Sequence, residues 1–338
     1  MSNKQCPVCE KNLPDPLPPF CEQCGWDLEN DLTLVPSLHK IPEDVQRKYV
    51  QRLAIAKRVW SERGVSKEKA EEYFESGEAY YSKGDYDRAI ENSTKAIAVD
   101  PNNVFAYTTR GMAHHAKGDY TLAIEDFTKA IAIYPDGALN YTSRGNAYDA
   151  KGDYNLAIED FTKAIAIDPD DAEAYHNRGY AYFGKGDFDR ALADYTKAIA
   201  INPNNAFAYT SRGDAYYAKR DFDRAIEDHT KAIAIKPDYA RAYADRGDAY
   251  YAKRDFDRAI EDHTKAIAIK PHYARAYRDR GSDYYMKGDY DRAIEDFTKA
   301  IAIEPDFADA YNNRGDAYRK TGREDAAKRD FEKYEQLK

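Results

Sequence analysis

The sequence predicts an all-α protein, a solenoid of eight helix pairs preceded by a small module organised by four cysteines. Three observations predict it. An R-G-x-A-Y setting returns at Gly145, Gly179, Gly213, Gly247 and Gly315, with near matches at Gly77, Gly111 and Gly281, and the step is always 34 residues. Inside each period, apolar and small residues recur at spacings of 3 and 4, the signature of helices with one buried face. All four cysteines stand ahead of the first period as two C-x-x-C pairs. A unit of 34 residues is too small to bury its own apolar face, so units of this length stack on one another.

The cysteine module comes first, within residues 1–30. Cys6-Pro7-Val8-Cys9 and Cys21-Glu22-Gln23-Cys24 place thiols at i and i+3 on tight turns, with eleven residues between the pairs. Two such turns facing each other supply the tetrahedral S4 shell that Zn²⁺ prefers, and four thiolates leave no open position for a reacting water. Rubredoxin-type iron and disulfides are the rival readings, and a reducing compartment favours zinc over the latter. So short a segment has no core of its own, so the metal would supply most of its folding energy, about 10–16 kcal/mol in isolated zinc modules. The C-P-x-C and F-C-x-x-C-G motifs with Leu28 resemble the small zinc ribbons that open many bacterial multidomain proteins. That resemblance implies a structural or docking role, and Glu10 departs from it where such ribbons carry Gly.

Residues 31–41 read as a linker, and Pro42 opens a helix over 42–64. Val45, Tyr49, Leu53, Ala56 and Trp60 form its apolar stripe, which suits it to cap the first face of the solenoid. Its other side is basic: Arg47, Lys48, Arg52, Lys57 and Arg58.

Eight units fill residues 70–338, counted from Ala70, Val104, Ala138, Ala172, Ala206, Ala240, Ala274 and Ala308 as position 1. In the first helix position 4 is Tyr, position 8 is Gly, and position 11 is Tyr except at His114. A helical Gly costs about 1 kcal/mol, so its return predicts a partner helix packed too close for a side chain. Lys-Gly-Asp-Tyr is the commonest turn, with Gly for the left-handed C-cap and Asp for the next N-cap. The second helix carries Ala at 20, an aromatic residue or His at 24 except at Ser93, and Ala at 27 except at Tyr334, and Pro at 32 stops it in all but the last unit.

Small residues at 8 and 20 with bulky ones at 4, 11 and 24 make an interlocking antiparallel pair. The pattern resembles the tetratricopeptide repeat (TPR) from Ala70 to Lys338, which implies a right-handed solenoid whose first helices line a concave, protein-binding groove. One departure is position 7, Leu in that family and Arg in seven of these units. A half-buried Arg needs a partner, and Asp at position 23 is expected to supply it, Arg144 with Asp160 for example; the unit lacking Arg (Ser76) also lacks Asp (Asn92). Positions 21 and 28 are apolar in seven units and become Lys328 and Glu335 in the eighth, so they are expected to pack on the following unit and the array to end there.

Positions 2, 5, 9 and 12 form the free side of each first helix. Phe74, Tyr81, Phe105 and His115 stand there in the early units. Tyr180, Phe183, Phe207, Tyr217, Tyr251 and Tyr285 follow, with Arg241, Arg275 and Arg278 toward one end. Aromatics and Arg often dominate interfaces, so an extended or helical peptide is expected along this strip, its acidic end near the three arginines. Packing inside a tight superhelix is the competing role for these rings.

A net charge of −9, from 51 Lys and Arg against 60 Asp and Glu, offers no bulk attraction for nucleic acid or anionic lipid. No apolar run is long enough to span a membrane, and Met1–Glu10 lacks the pattern of a signal peptide, so a cytoplasmic location is expected. No Ser-His-Asp, H-E-x-x-H or phosphate-cradling loop is present, and His229 and His263 fall at core position 24. The sequence therefore predicts a non-catalytic, monomeric protein-interaction scaffold with structural zinc. The alternative is a nucleic-acid adaptor using the ribbon and the basic 47–58 helix.

Overall fold

The computed structural model describes residues 67–338, so Cys6, Cys9, Cys21, Cys24, the linker and the 42–64 helix lie outside the described residues. Sixteen α-helices and no strand occur among the described residues. The first four pairs are α1 (Lys67–Ser82) with α2 (Tyr86–Val99), α3 (Val104–Ala116) with α4 (Tyr120–Ile133), α5 (Ala138–Ala150) with α6 (Tyr154–Ile167), and α7 (Ala172–Gly184) with α8 (Phe188–Ile201). The last four are α9 (Ala206–Ala218) with α10 (Phe222–Ile235), α11 (Ala240–Ala252) with α12 (Phe256–Ile269), α13 (Ala274–Met286) with α14 (Tyr290–Ile303), and α15 (Ala308–Lys320) with α16 (Glu324–Leu337). The chain falls into two compact units that divide within α5, one ending at Ala147 and one spanning Tyr148–Lys338.

Turn chemistry sets the helix boundaries. Gly84, Gly118, Gly152, Gly186, Gly288 and Gly322 all take positive φ at the hairpin turn, and Arg220 and Arg254 hold the same conformation at φ 63° and 65° in repeats five and six. Of the turn aspartates, Asp85, Asp187, Asp221, Asp255 and Asp289 accept from a backbone N–H of the following helix. Asp119 and Asp153 occupy the same place without a side-chain cap bond.

Within each unit the helix pairs close over the glycine at position 8. A Cβ on Gly111 would lie 2.8 Å from the Phe127 ring, on Gly179 2.8 Å from Tyr195, and on Gly281 2.7 Å from Phe297. At these three the closest approach comes from the ring at position 24, whereas Gly77 meets the Ser93 hydroxyl at 2.9 Å. Between repeats, Ala at position 10 seats on the preceding second helix: Ala147 packs with Ala123, Phe127 and Ile124 in the first unit, and Ala181 with Ala157, Phe161 and Ile158 in the second. Position 28 takes the next repeat's first turn, as Ile199 does with Ala208 and Ile267 with Ala276. These are the contacts expected of positions 21 and 28.

The arginine at position 7 is paired as its burial demands. Arg110, Arg178, Arg212, Arg246, Arg280 and Arg314 each donate from Nε and Nη2 to both oxygens of the position 23 aspartate of the same repeat, at 2.7–2.9 Å. The third nitrogen reaches back to the Thr at position 25 of the preceding repeat, Arg178 Nη1 to Thr162 Oγ1 at 3.1 Å for example. Arg144 does the same to Thr128 within the first unit, at 2.9 Å. Its expected partner Asp160 belongs to the second unit.

Candidate functional site

The free side of the first helices divides by position. At position 12 the rings lie against the aromatic residue that starts the second helix of the same repeat: Tyr81 on Tyr86, His115 on Tyr120, Phe183 on Phe188, Tyr217 on Phe222, Tyr251 on Phe256 and Tyr285 on Tyr290, with centroids 5.3–5.7 Å apart. These rings brace the hairpin, the packing role weighed against binding above. At positions 2 and 9 the rings stand out instead: Phe105 is 68% exposed, Tyr180 52% and Phe207 53%. Phe74 meets Phe105 at 5.9 Å in the first unit, and Phe207 meets Tyr239 edge-on at 5.2 Å in the second.

Arg241, Arg275 and Arg278 do not stand free for a partner's acidic end. Arg241 donates to Asp214 Oδ2 at 2.7 Å and to Asp245 Oδ2 at 3.1 Å. Arg275 bonds Asp248 Oδ2, meets Asp245 Oδ1 at 3.0 Å, and has its Nε 3.4 Å from Asp279 Oδ2. Arg278 Nη1 lies 3.0 Å from Asp279 Oδ1. The expected acidic-end clamp is thus a ladder of ion pairs that stitches repeats five, six and seven together. Its carboxylates come from positions 6 and 9, one turn apart on the first helices.

Beneath the ladder lie His229 and His263, each at position 24 and each with a side chain only 1% exposed. Their local sequences are identical, from Gly213 to Pro237 and from Gly247 to Pro271, yet their surroundings differ. Position 10 of the next repeat, which packs with the position 24 ring at Ala147, Ala181 and Ala215, is Ala249 after His229 and Asp283 after His263. Asp283 is fully buried, and its Oδ2 lies 2.7 Å from His263 Nδ1. Burial pulls the His263 imidazole down, but Asp248 and Asp283 overcome it and push it up to about 10. His229 has no such acceptor; burial, with Arg241 adding to it, drives it down to about 3, and neither ring nitrogen has a hydrogen-bond partner. One ligand atom from each of Asp214, His229 and Asp245 lies within 4.8 Å of the others, and Asp248, His263 and Asp279 repeat the arrangement.

Sequence reading alone did not find these clusters. No i, i+4 spacing on one helix marks them, because the carboxylates come from positions 9 and 6 of successive first helices. One signal was present: Gly281 sits in R-G-S-D-Y, the one copy with Asp in place of Ala at position 10.

The TPR repeat family matches residues 77–118, 145–186, 213–254 and 281–322, and further families described as tetratricopeptide repeat match 104–136, 172–205, 194–227, 240–273 and 308–338. Among solved structures the chain is similar to a tetratricopeptide repeat protein from Parabacteroides merdae, at 22% identity over 73% of this chain and 98% of that one, with a TM-score of 0.60. It is also similar to the C-terminal part of a TPR repeat-containing protein from Cytophaga hutchinsonii, at 21% identity over 71% of this chain and 98% of that one, with a TM-score of 0.56. MamA shares 33% identity over 48% of this chain and 94% of its own, at a TM-score of 0.44. At these identities the first two likenesses are ones of fold. No curated protein matches the chain. With the 34-residue step, the ring at position 24 filling the space over Gly111, Gly179, Gly213, Gly247, Gly281 and Gly315, and these matches running from 77 to 338, the chain belongs to the tetratricopeptide repeat family.

Proposed function

We propose that this chain is a non-catalytic protein-interaction scaffold that holds an extended or helical peptide on the exposed face of its first helices, and that Cys6, Cys9, Cys21 and Cys24 bind a structural or docking Zn²⁺. The observation that carries the first part is the exposure of Tyr180 and Phe207 on first helices of the second unit. Large exposed rings at positions that folding does not require are the features that supply binding energy at interfaces. The arginine ladder below them serves this reading as a pre-organised floor and not as an anchor, since each guanidinium already has a carboxylate partner. The partner's grip therefore comes from ring contacts and shape more than from a terminal acidic group.

The test is a pull-down with the full chain, followed by calorimetry of the captured protein against the wild type and a Tyr180→Ala/Phe207→Ala variant. Both rings are half exposed, so helicity should be unchanged while affinity falls at least tenfold. Unchanged affinity, or capture of DNA or RNA in a salt-dependent manner instead of protein, refutes the proposal. For the cysteines, metal analysis of the reduced full chain should find one zinc that Cys6→Ser/Cys9→Ser removes.

A further inference from the structure

We infer that Asp248, His263 and Asp279 form a binding site for a divalent transition-metal ion of the Zn²⁺ or Co²⁺ class, at the seam between repeats six and seven. The site is separate from the cysteine module and uses none of its residues.

The geometry begins with the histidine. Its Nδ1 lies 2.7 Å from the Asp283 carboxylate, so that nitrogen carries a hydrogen and donates it. Nε2 then points at two more carboxylates without a hydrogen-bond partner, from a side chain 1% exposed. Facing carboxylates in a buried place, Nε2 requires a cation there, either its own proton or a metal ion in the proton's place. The nearest oxygen, Asp248 Oδ1, is 3.5 Å from Nε2. That is too long for a good hydrogen bond, whose N···O distance centres near 2.9–3.0 Å. It is close to the span of two ligands on one ion, since N and O ligands at 2.0–2.2 Å on a tetrahedral Zn²⁺ stand about 3.4 Å apart. Asp279 completes the set: its Oδ2 is a second buried atom without a hydrogen-bond partner, and the three ligand atoms lie within 4.8 Å of one another.

The surroundings suit a metal as well. Asp283 on Nδ1 is the carboxylate–histidine arrangement that orients metal-bound imidazoles. Arg275 takes Asp248 Oδ2 and leaves Oδ1 toward His263, while Asp279 has Arg278 3.0 Å from its Oδ1 and Arg275 Nε at a looser 3.4 Å from its Oδ2. Along the whole seam the carboxylates of Asp214, Asp245, Asp248 and Asp279 face the guanidinium groups of Arg241, Arg275 and Arg278, and Asp283 faces His263. Asp248 is 25% exposed and gives an ion access from solvent. An imidazole with two carboxylates favours Zn²⁺ and its neighbours over Mg²⁺ or Ca²⁺, which take oxygen alone. The ligands come from α11, α12 and α13, so the ion would cross-link two repeats, with three protein ligands and a fourth position left for water or a side chain of a partner. Asp214, His229 and Asp245 form a sister arrangement without the orienting aspartate, its nearest N···O distance 3.8 Å.

Cobalt titration of the reduced full chain, followed by visible absorption and calorimetry, tests the site. His263→Phe is the primary variant because Phe fills position 24 in repeats two, three, seven and eight and should preserve the fold. The wild type should bind one Co²⁺ more than His263→Phe, and the difference spectrum should carry ligand-field bands without sulfur-to-cobalt charge transfer, which separates it from any ion on the cysteines. Asp279→Asn should lose the same ion, and Asp283→Ala, which restores the repeat's usual Ala, should weaken it 10–100-fold. Equal cobalt stoichiometry in the wild type and His263→Phe, or a lost ion that carries the sulfur bands, overturns the inference. A buried proton on Nε2 would then be the only cation there.

Discussion

Replacing Arg178 by Leu, the residue the family carries at this position, should destabilise the protein, although Leu is the more usual core residue. Arg178 binds both oxygens of Asp194 at 2.7 and 2.8 Å, reaches Thr162 at 3.1 Å, and lies over the Tyr175 ring at 5.6 Å. The Asp194 side chain is only 9% exposed. Without Arg178, that carboxylate loses two charge-assisted hydrogen bonds and has little water to replace them. Breaking a buried pair in this way costs about 3–5 kcal/mol. Asp194→Leu should cost less, because Arg178 is 18% exposed, keeps Thr162, and can turn its head toward solvent. The double variant Arg178→Leu/Asp194→Leu removes both charges and should return to within about 1 kcal/mol of the wild type. Urea unfolding followed by circular dichroism measures all four species; guanidinium chloride would screen the pair under study. Since repeat arrays need not unfold in one step, hydrogen exchange should place the loss in repeats three to five. A single Arg178→Leu within 1 kcal/mol of the wild type, or a double variant as unstable as the sum of the singles, refutes this account of why position 7 is Arg.

Three further outcomes follow from local geometry. Arg220 holds a left-handed turn conformation at φ 63° where other repeats use Gly, so Arg220→Gly should raise stability by about 0.5–1 kcal/mol, measured as a shift in urea midpoint, and Arg254→Gly should add a similar amount. Gly281→Ala would set a Cβ 2.7 Å from the buried Phe297 ring and should cost about 1–3 kcal/mol, whereas Gly288→Ala, with open space but φ 82°, should cost about 1–2 kcal/mol through backbone strain alone. Burial raises the Asp149 carboxyl to about 6, above its unfolded value near 3.8, and its Oδ1 has no hydrogen-bond partner. The fold thus favours the neutral acid, and this contribution is full below pH 4 and is lost as pH rises through 6. Asp149→Asn should gain about 1–2 kcal/mol at pH 7.5, after allowance for partial exposure, and little at pH 4; thermal melts at both values would show it.

The helix pairs were legible in the sequence because a repeat places each position in nearly the same surroundings every 34 residues. Gly at 8, Ala at 20 and a ring at 24 report one packing arrangement many times over, so the pattern carries its own confirmation. The pairing of Arg at 7 with Asp at 23 could be read the same way, from the one repeat that lacks both, while the third bond of that arginine to Thr at 25 was not seen because it joins two repeats. The strip on the first helices was legible only as composition: which rings face solvent and which brace a hairpin depends on whether position 12 meets the aromatic residue five places on, and the structure shows that it does.

The sequence by itself therefore determined the unit, its two helices, their turns and the contacts that every copy repeats. What only the tertiary structure decided is how unlike copies meet. His229 and His263 sit in identical stretches of sequence, yet the next repeat carries Ala249 at position 10 in one case and Asp283 in the other, and the Asp283 contact separates a ring aimed by a carboxylate from a neutral buried one. Arg241, Arg275 and Arg278 read as free cations in the sequence and become the outer rail of an ion-pair ladder once repeats five to seven are stacked. A charge or an imidazole takes its character from groups a few ångströms away, and in a repeat array those groups belong to the next copy.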